Sequence, residues 1–268
     1  MKLCWLTDIH LNFLSEEKKN KFYKKICETH CDAILISGDI AEASSINILL
    51  KEMARDINKP IYFVLGNHDY YHGWVDKVRN EMIELCQQEP LLNWLSENDC
   101  VELQNDTVLI GQDGWADGQY GDYQNSNVTL NDSRLISDLF NQAILGKNKL
   151  LNKMQELANQ DAKQLENNLL KSTNNKTKKI IILTHVPPFE GACWHEGKTS
   201  YPDWLPFFTS KVMGEVILSI AKDNPAIDFL VLCGHTHSSG TYQPLPNLLV
   251  KTGKAEYYKS EIQEIIEV

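Results

Sequence analysis

Arginine is nearly missing from this chain: Arg55, Arg79 and Arg134 are the only three in 268 residues. With a formal net charge of −10, the chain offers no basic stripe to a nucleic-acid backbone, so a nucleic-acid partner is not expected. An acidic pocket that binds phosphate through cations is compatible with that charge. Its grip would come mainly from metal, backbone N–H groups and histidine. No run approaches the ~20 apolar residues that a membrane-spanning helix needs, so no membrane partner is expected. No CxxC pair occurs, and the seven cysteines are odd in number and lack the spacing of a secreted framework. They read as reduced thiols of a cytoplasmic protein. Cys4 and Cys233 fall inside apolar runs, where cysteine behaves as a small core residue. The chain starts almost directly in a strand-like run, which reads as having no signal peptide ahead of it. The composition sets no oligomeric state.

Five apolar runs end in small clusters of Asp, His or Asn: LCWLTDIH, AILISGDI, IYFVLGNHD, IIILTHVPP and FLVLCGHTH. A buried strand tip is a costly place for a carboxylate or imidazole unless the group is paired or binds a metal. Five such tips imply one shared site. The tips extend from Asp8 to His237, and a domain boundary between them would divide the site. A single domain over residues 1–268 is therefore expected.

The first seventy residues alternate strand and helix: KLCWL, a Lys-rich amphipathic helix over 16–29, AILIS, a helix near Ser45–Asp56, and IYFVL after the break at Pro60. That order implies βαβ units with parallel strands whose C-terminal ends share one edge. Residues 74–88 read as a helix. CVEL and TVLI read as a hairpin through Asn105-Asp106. Residues 111–131 have no periodicity, and are either a lid or substrate wall, or a solvated loop. Residues 132–172 read as one or two helices with an apolar stripe at Leu150, Met154, Leu157, Leu165 and Leu169. The strand KIIILT, a loop over 185–206, a helix near Ser210–Asp223 and FLVLC follow. In the tail, GTYQP, NLLVK and EIQEIIEV are short strand candidates that suggest a second sheet packed on the first.

Asp8 and His10 lie two apart after the first run, and in an extended chain both side chains face one side. Asp39 follows Gly38, and one carboxylate can bridge two metals. Asn67 offers a neutral amide oxygen. His185 ends the fourth run, and His235 and His237 form a His-x-His pair after the fifth. Nitrogen and oxygen donors without thiolate suit Mn, Fe, Zn, Co or Ni. Each histidine alone would be better read as a core or surface residue; the set of five tips in one chain argues otherwise.

Asp8-x-His10, Gly38-Asp39, Gly66-Asn67-His68-Asp69, His185 and Gly234-His235-Thr236-His237 together resemble the signature of the calcineurin-like metallophosphoesterases. The resemblance implies an α/β (α+β) fold: a four-layer αββα sandwich of two mixed β-sheets flanked by helices. It implies two divalent metal ions, one held by Asp8, His10, Asp39 and His237, the other by Asp39, Asn67, His185 and His235. It also implies hydrolysis of a small phosphorylated molecule by a metal-bridging hydroxide. Asn67 would also contact substrate. His68 would protonate the departing oxygen or stabilise its charge. In protein phosphatases of the family an Asp orients that histidine. Glu42, at the same offset, either does so here or is a helix N-terminal carboxylate. GDIAE lacks the Arg of those phosphatases and GNHD replaces GNHE, which puts protein phosphatase activity in doubt. His195, Trp194 and Trp115 in the long loops, and Tyr70, Tyr71 and His72 after GNHD, are weaker candidates for substrate contact or loop packing. Alternatives stand beside the hydrolase of small phosphomonoesters or phosphodiesters: within enzymes, a cyclic-nucleotide or nucleotide phosphodiesterase or a protein phosphatase, and outside them a non-enzymatic scaffold that binds protein.

Overall fold

A strand that is apolar at every position needs cover on both faces, and the structure supplies it. The computed structural model describes residues 1–98, 100–174 and 176–268. Its strands are β1 (Lys2–Leu6), β2 (Ala33–Ser37), β3 (Ile61–Val64), β4 (Leu92–Trp94), β5 (Val101–Glu102), β6 (Thr107–Gly111), β7 (Lys179–Leu183), β8 (Trp194–His195), β9 (Lys198–Thr199), β10 (Asp228–Cys233), β11 (Gly240–Leu245), β12 (Leu248–Thr252) and β13 (Glu264–Glu267). The helices are α1 (Glu16–Glu28), α2 (Ile46–Ile57), α3 (Val75–Gln88), α4 (Asp132–Leu135), α5 (Ser137–Ala143), α6 (Lys147–Ser172), α7 (Leu205–Phe208) and α8 (Lys211–Asp223).

Two large sheets form, in the orders β13-β1-β2-β3-β4 and β11-β12-β10-β7-β6-β5. Alternation along each strand divides its side chains between two layers. Leu3, Trp5, Leu35 and Val64 of the first sheet meet Leu109, Ile181, Leu183, Leu230 and Leu232 of the second. The opposite faces meet helices: Leu6, Ile34 and Phe63 pack on Phe22, Met53 and Met82 of α1, α2 and α3. Ile180, Ile182 and Val231 pack on Leu165, Met213 and Ile217 of α6 and α8. The result is the expected αββα sandwich with mixed sheets.

Within each sheet the central strands are parallel, so their C-terminal ends lie together. β1, β2 and β3 bring Asp8, Asp39 and Asn67 from one sheet; β7 and β10 bring His185 and His235 from the other. Asn105 and Asp106 both adopt φ 56°, the left-handed backbone that a tight hairpin needs, and β5 pairs antiparallel with β6.

Three details depart from the sequence reading. The tail does not build one sheet: β11 and β12 join the second, while β13 crosses back to pair antiparallel with β1. β4 extends the first sheet from a segment with no strand signal of its own. Residues 132–172 hold three helices rather than one or two, with Gly146 (φ 118°) ahead of the longest. All seven cysteines are free. Among the described residues no helix is long and apolar enough to cross a membrane.

Candidate metal centre

The five strand tips do meet, though not by extended alternation. Asp8, His10, Asp39, His235 and His237 have φ of 47°, 40°, 53°, 68° and 56°. Left-handed backbone at non-glycine residues costs of order 1 kcal/mol or more each and gathers at functional sites. Asp8 and His10 therefore converge because the chain coils after β1, not because the two face one side of a strand. The coil is held to the next tip by Asp8 N–H to Gly38 O (3.0 Å) and His10 N–H to Asp39 O (3.0 Å). The glycines before the tips leave room. A Cβ on Gly66 would stand 2.2 Å from Asp39 Oδ1, and one on Gly234 would stand 2.1 Å from Asp8 Oδ2.

Asp8, His10, Asp39 and His237 present ligand atoms that all lie within 4.8 Å of one another. His237 Nε2 is 3.4 Å from Asp8 Oδ1 and 3.4 Å from His10 Nε2. A second group centres on Asn67. Its Oδ1 is 3.0 Å from His185 Nε2 and 2.9 Å from His235 Nδ1. Asp39 stands between the groups, with Oδ1 3.3 Å from His185 Nε2 and Oδ2 3.8 Å from His10 Nε2.

Hydrogen bonds around the second group decide what it can hold. His185 Nδ1 faces Ser37 O at 2.9 Å, and His235 Nε2 faces Phe207 O at 3.0 Å. A carbonyl only accepts, so those nitrogens carry the protons. Asn67 Nδ2 donates to Asp132 Oδ1 (2.8 Å) and Tyr71 Oη (3.2 Å), which turns the amide oxygen toward the histidines. Burial pushes the His185 pKa down and that of His235 down to about 4, which favours neutral rings. Two unprotonated imidazole nitrogens, an amide oxygen and the Asp39 carboxyl thus face one another. A cation among them would satisfy all four groups. The donor set fits one.

The remaining charges follow the same geometry. Burial, and then the neighbouring Asp8 carboxylate, push the Asp39 pKa well above the usual carboxylate range. Burial acts the same way on Asp8, but the His237 hydrogen bond and the surrounding imidazoles outweigh it and hold the carboxylate ionised. Burial lowers His10 to about 4 and His68 to about 2.

His68 stacks on Tyr71 at 4.2 Å, with Nε2 3.9 Å from Asp39 Oδ2 and 3.5 Å from Tyr257 Oη. Glu42 is not its orienting partner. The Glu42 carboxylate lies 4.0 Å from His72 Nε2, while His68 Nδ1 has no hydrogen-bond partner. The Glu42 backbone carbonyl receives Ser45 and Ile46 N–H at the start of α2, so the residue serves the helix entry. Asp69 takes the bracing role: it accepts Ile40, Ala41 and Gly66 N–H and locks the second tip to the third.

A cavity of about 440 Å³ opens over the two groups. Its walls include His68, Tyr71, Trp194, His195, Trp204 and Tyr257. His195 and Trp194 reach it from the β8–β9 hairpin, a feature inside the 186–206 loop. His72 is exposed and outside the cavity. Tyr70 and Trp115 lie against each other at 4.9 Å and do not line this cavity. Asp132 and Tyr257 are functional candidates that the sequence reading missed. One begins a short helix and the other lies in a polar tail, and neither position carries a local signal.

The model of the calcineurin-like phosphoesterases matches residues 1–239. The chain belongs to that family. A metallophosphoesterase of Helicobacter pylori is 26% identical over 117 residues, covering 41% of this chain. The matched part spans 27% of that relative's own length. Among solved structures, the phosphopantetheinyl hydrolase PptH of Mycobacterium tuberculosis has a TM-score of 0.66 at 12% identity, covering 96% of this chain and 90% of that one. A dimetal phosphatase from Danio rerio has a TM-score of 0.58 at 12% identity, covering 95% and 87%. At such identities the likeness is one of fold. Family membership and the acceptor-only donor set together support a metal-dependent phosphoesterase.

Proposed function

We propose that the chain hydrolyses a small phosphorylated molecule at a dinuclear centre under the 440 Å³ cavity. The observation that carries this reading is the convergence of acceptors around Asn67 Oδ1, beside the Asp8–His10–Asp39–His237 group. Asp8, His10, Asp39 and His237 would hold one divalent cation; Asp39, Asn67, His185 and His235 would hold the other. Bound there, two cations supply a water of lowered pKa and neutralise phosphate charge. Mn, Fe, Zn, Co and Ni all suit the donors.

The chain's own residues do the rest. Asp39 reaches both groups and fixes their separation. Ser37 O and Phe207 O set the tautomers of His185 and His235, so their lone pairs point inward. Asp132 and Tyr71 keep the Asn67 oxygen turned the same way. His68 stands on the cavity wall outside both groups and presents Nε2 to the departing oxygen, as hydrogen-bond or proton donor. Among the described residues no Lys or Arg lines this cavity, so phosphate recognition falls to the cations and His68. A scaffold without catalysis would not need His68 so placed. The protein is proposed to act in the cytoplasm.

The test is hydrolysis of para-nitrophenyl phosphate and of its bis-ester, with Mn²⁺ and with EDTA. Turnover with Mn²⁺ and none with EDTA is expected. His68→Ala should retain its metal by elemental analysis and lose about 10²- to 10⁴-fold in kcat. Metal-loaded protein with no turnover on either ester would point to the scaffold instead.

A further inference from the structure

A second cavity of about 390 Å³ adjoins the first, and Asn67, Leu130, Asp132 and His235 line both. Its far wall is apolar: Leu139 and Ala143 from α5, Leu150 and Met154 from α6, Val128 from the 111–131 segment, and Phe207. Ligand cavities of this size are ordinarily apolar with a few polar groups at one end. Here Asn67, Asp132 and His235 stand at the metal centre, and the neutral polar residues Ser126, Asn127, Thr129 and Ser133 line the side of the 126–133 segment.

The charges say what can enter. Across both cavities the only Lys or Arg among the described lining residues is Lys147. Its ammonium is already committed: it donates to Gln124 O (2.9 Å) and Ser126 O (2.8 Å) and lies 5.2 Å over the Tyr123 ring. Nothing cationic is left for a second phosphate or a carboxylate beyond the metal centre, and a buried unpaired anion is costly. The wall is also built rather than loose. Tyr123 Oη donates to Lys147 O (3.0 Å) and Ser126 Oγ donates to Asp203 O (2.7 Å), so buried Tyr123 and Ser126 anchor the 111–131 segment beside the cavity while Asp122, Gln124 and Asn125 face solvent.

We propose that this second cavity takes the organic part of the substrate, and that this part is uncharged and apolar: an alkyl or aryl phosphoester, not a nucleoside polyphosphate. The assignment rests on the phosphoesterase reading for the position of the phosphate. The cavity itself is tested separately.

The probe is a series of n-alkylphosphonates, from ethyl to octyl, titrated calorimetrically into the Mn²⁺-loaded full-length protein. Kd should fall by roughly tenfold or more between ethyl and hexyl as methylenes are buried, and level off when the cavity is full. Ala143→Phe, which narrows the cavity, should bring hexyl and ethyl to similar Kd. Leu150→Glu gives a second check on the same wall, with folding of each variant verified by circular dichroism. A Kd that does not change with chain length, a gain that survives both variants, or no binding of any member overturns the proposal. A flat series with para-nitrophenyl phosphate still hydrolysed would remove the cavity assignment alone. A steep series with no hydrolysis would keep the cavity and remove the phosphoesterase reading.

Discussion

Two polar clusters are buried in this protein, and they are built on opposite principles. In the cluster around Asp113 every acceptor meets a donor. Asp113 Oδ1 receives Leu65 N–H (2.8 Å), Trp94 Nε1–H (2.9 Å) and Ser96 Oγ–H (2.7 Å), and Oδ2 receives Tyr70 Oη–H (2.6 Å). Asp161 receives Arg79 at 2.8 Å and Gly114 N–H at 3.0 Å. At the strand tips Asp8 receives Thr7 Oγ–H and His235 N–H and Asp39 receives His68 N–H, but ligand atoms still face ligand atoms. The first arrangement is complete in itself and holds loops together: His185 N–H donates to Asp113 O, so the Asp113 cluster also positions a candidate ligand. The second is incomplete without a cation. Burial of polar groups therefore does not by itself mark a functional site; burial without protons to share does.

The comparison can be broken most directly by removing its two central carboxylates. Asp39→Ala should lower kcat/KM by about 10³-fold or more, since both ligand groups lose a member. It should leave the metal-free protein's urea stability within about 1 kcal/mol of wild type, because loss of the His68 N–H bond to Asp39 Oδ1 (2.9 Å) is offset by relief of the crowding with Asp8. Asp113→Ala should do the reverse. It strands the buried donors of Leu65, Trp94 and Ser96 and leaves Arg79 with Asp161 as its carboxylate partner, destabilising the fold by about 3–5 kcal/mol, while the folded fraction keeps its metal. Equal destabilisation by the two substitutions in metal-free protein would collapse the distinction.

A smaller effect sharpens the boundary of the metal cluster. Asp132→Ala frees the Asn67 amide to turn and should weaken uptake of one metal by about 10- to 100-fold, as loss of outer-sphere partners does; competition with a chelator measures it. Unchanged affinity would mean that Asn67 is held without Asp132. The smallest effect is expected at Glu42, whose carboxylate faces His72 and not His68. Glu42→Gln should change kcat by less than about twofold, and a loss comparable to that of His68→Ala would return Glu42 to an orienting role.

What the sequence made legible was local. Apolar runs of four to six residues announced β1, β2, β3, β7 and β10, because a strand covered on both faces must be apolar throughout. Their polar tips stood out because such groups are costly at that place, and the shared edge followed from parallel strands. Asn105-Asp106 announced its hairpin by backbone preference. Other features had no local sign. β13 pairs with β1 across more than 250 residues, and a period-2 pattern says nothing about which sheet a strand will join. Asp113 and Asp8 are both aspartates after apolar runs; only tertiary closure tells them apart, because it surrounds Asp113 with donors and sets Asp8, which also receives Thr7 Oγ–H and His235 N–H, beside the other ligand atoms of His10, Asp39 and His237. The left-handed turns at Asp8 and His10, the tautomers set by Ser37 O and Phe207 O, and the places of Asp132 and Tyr257 also depend on closure. The sequence by itself determined which residue types stand at the strand ends. The tertiary structure decided which of them find protons and which are left facing one another, because hydrogen-bond complementarity is a property of neighbours in space, not of neighbours along the chain.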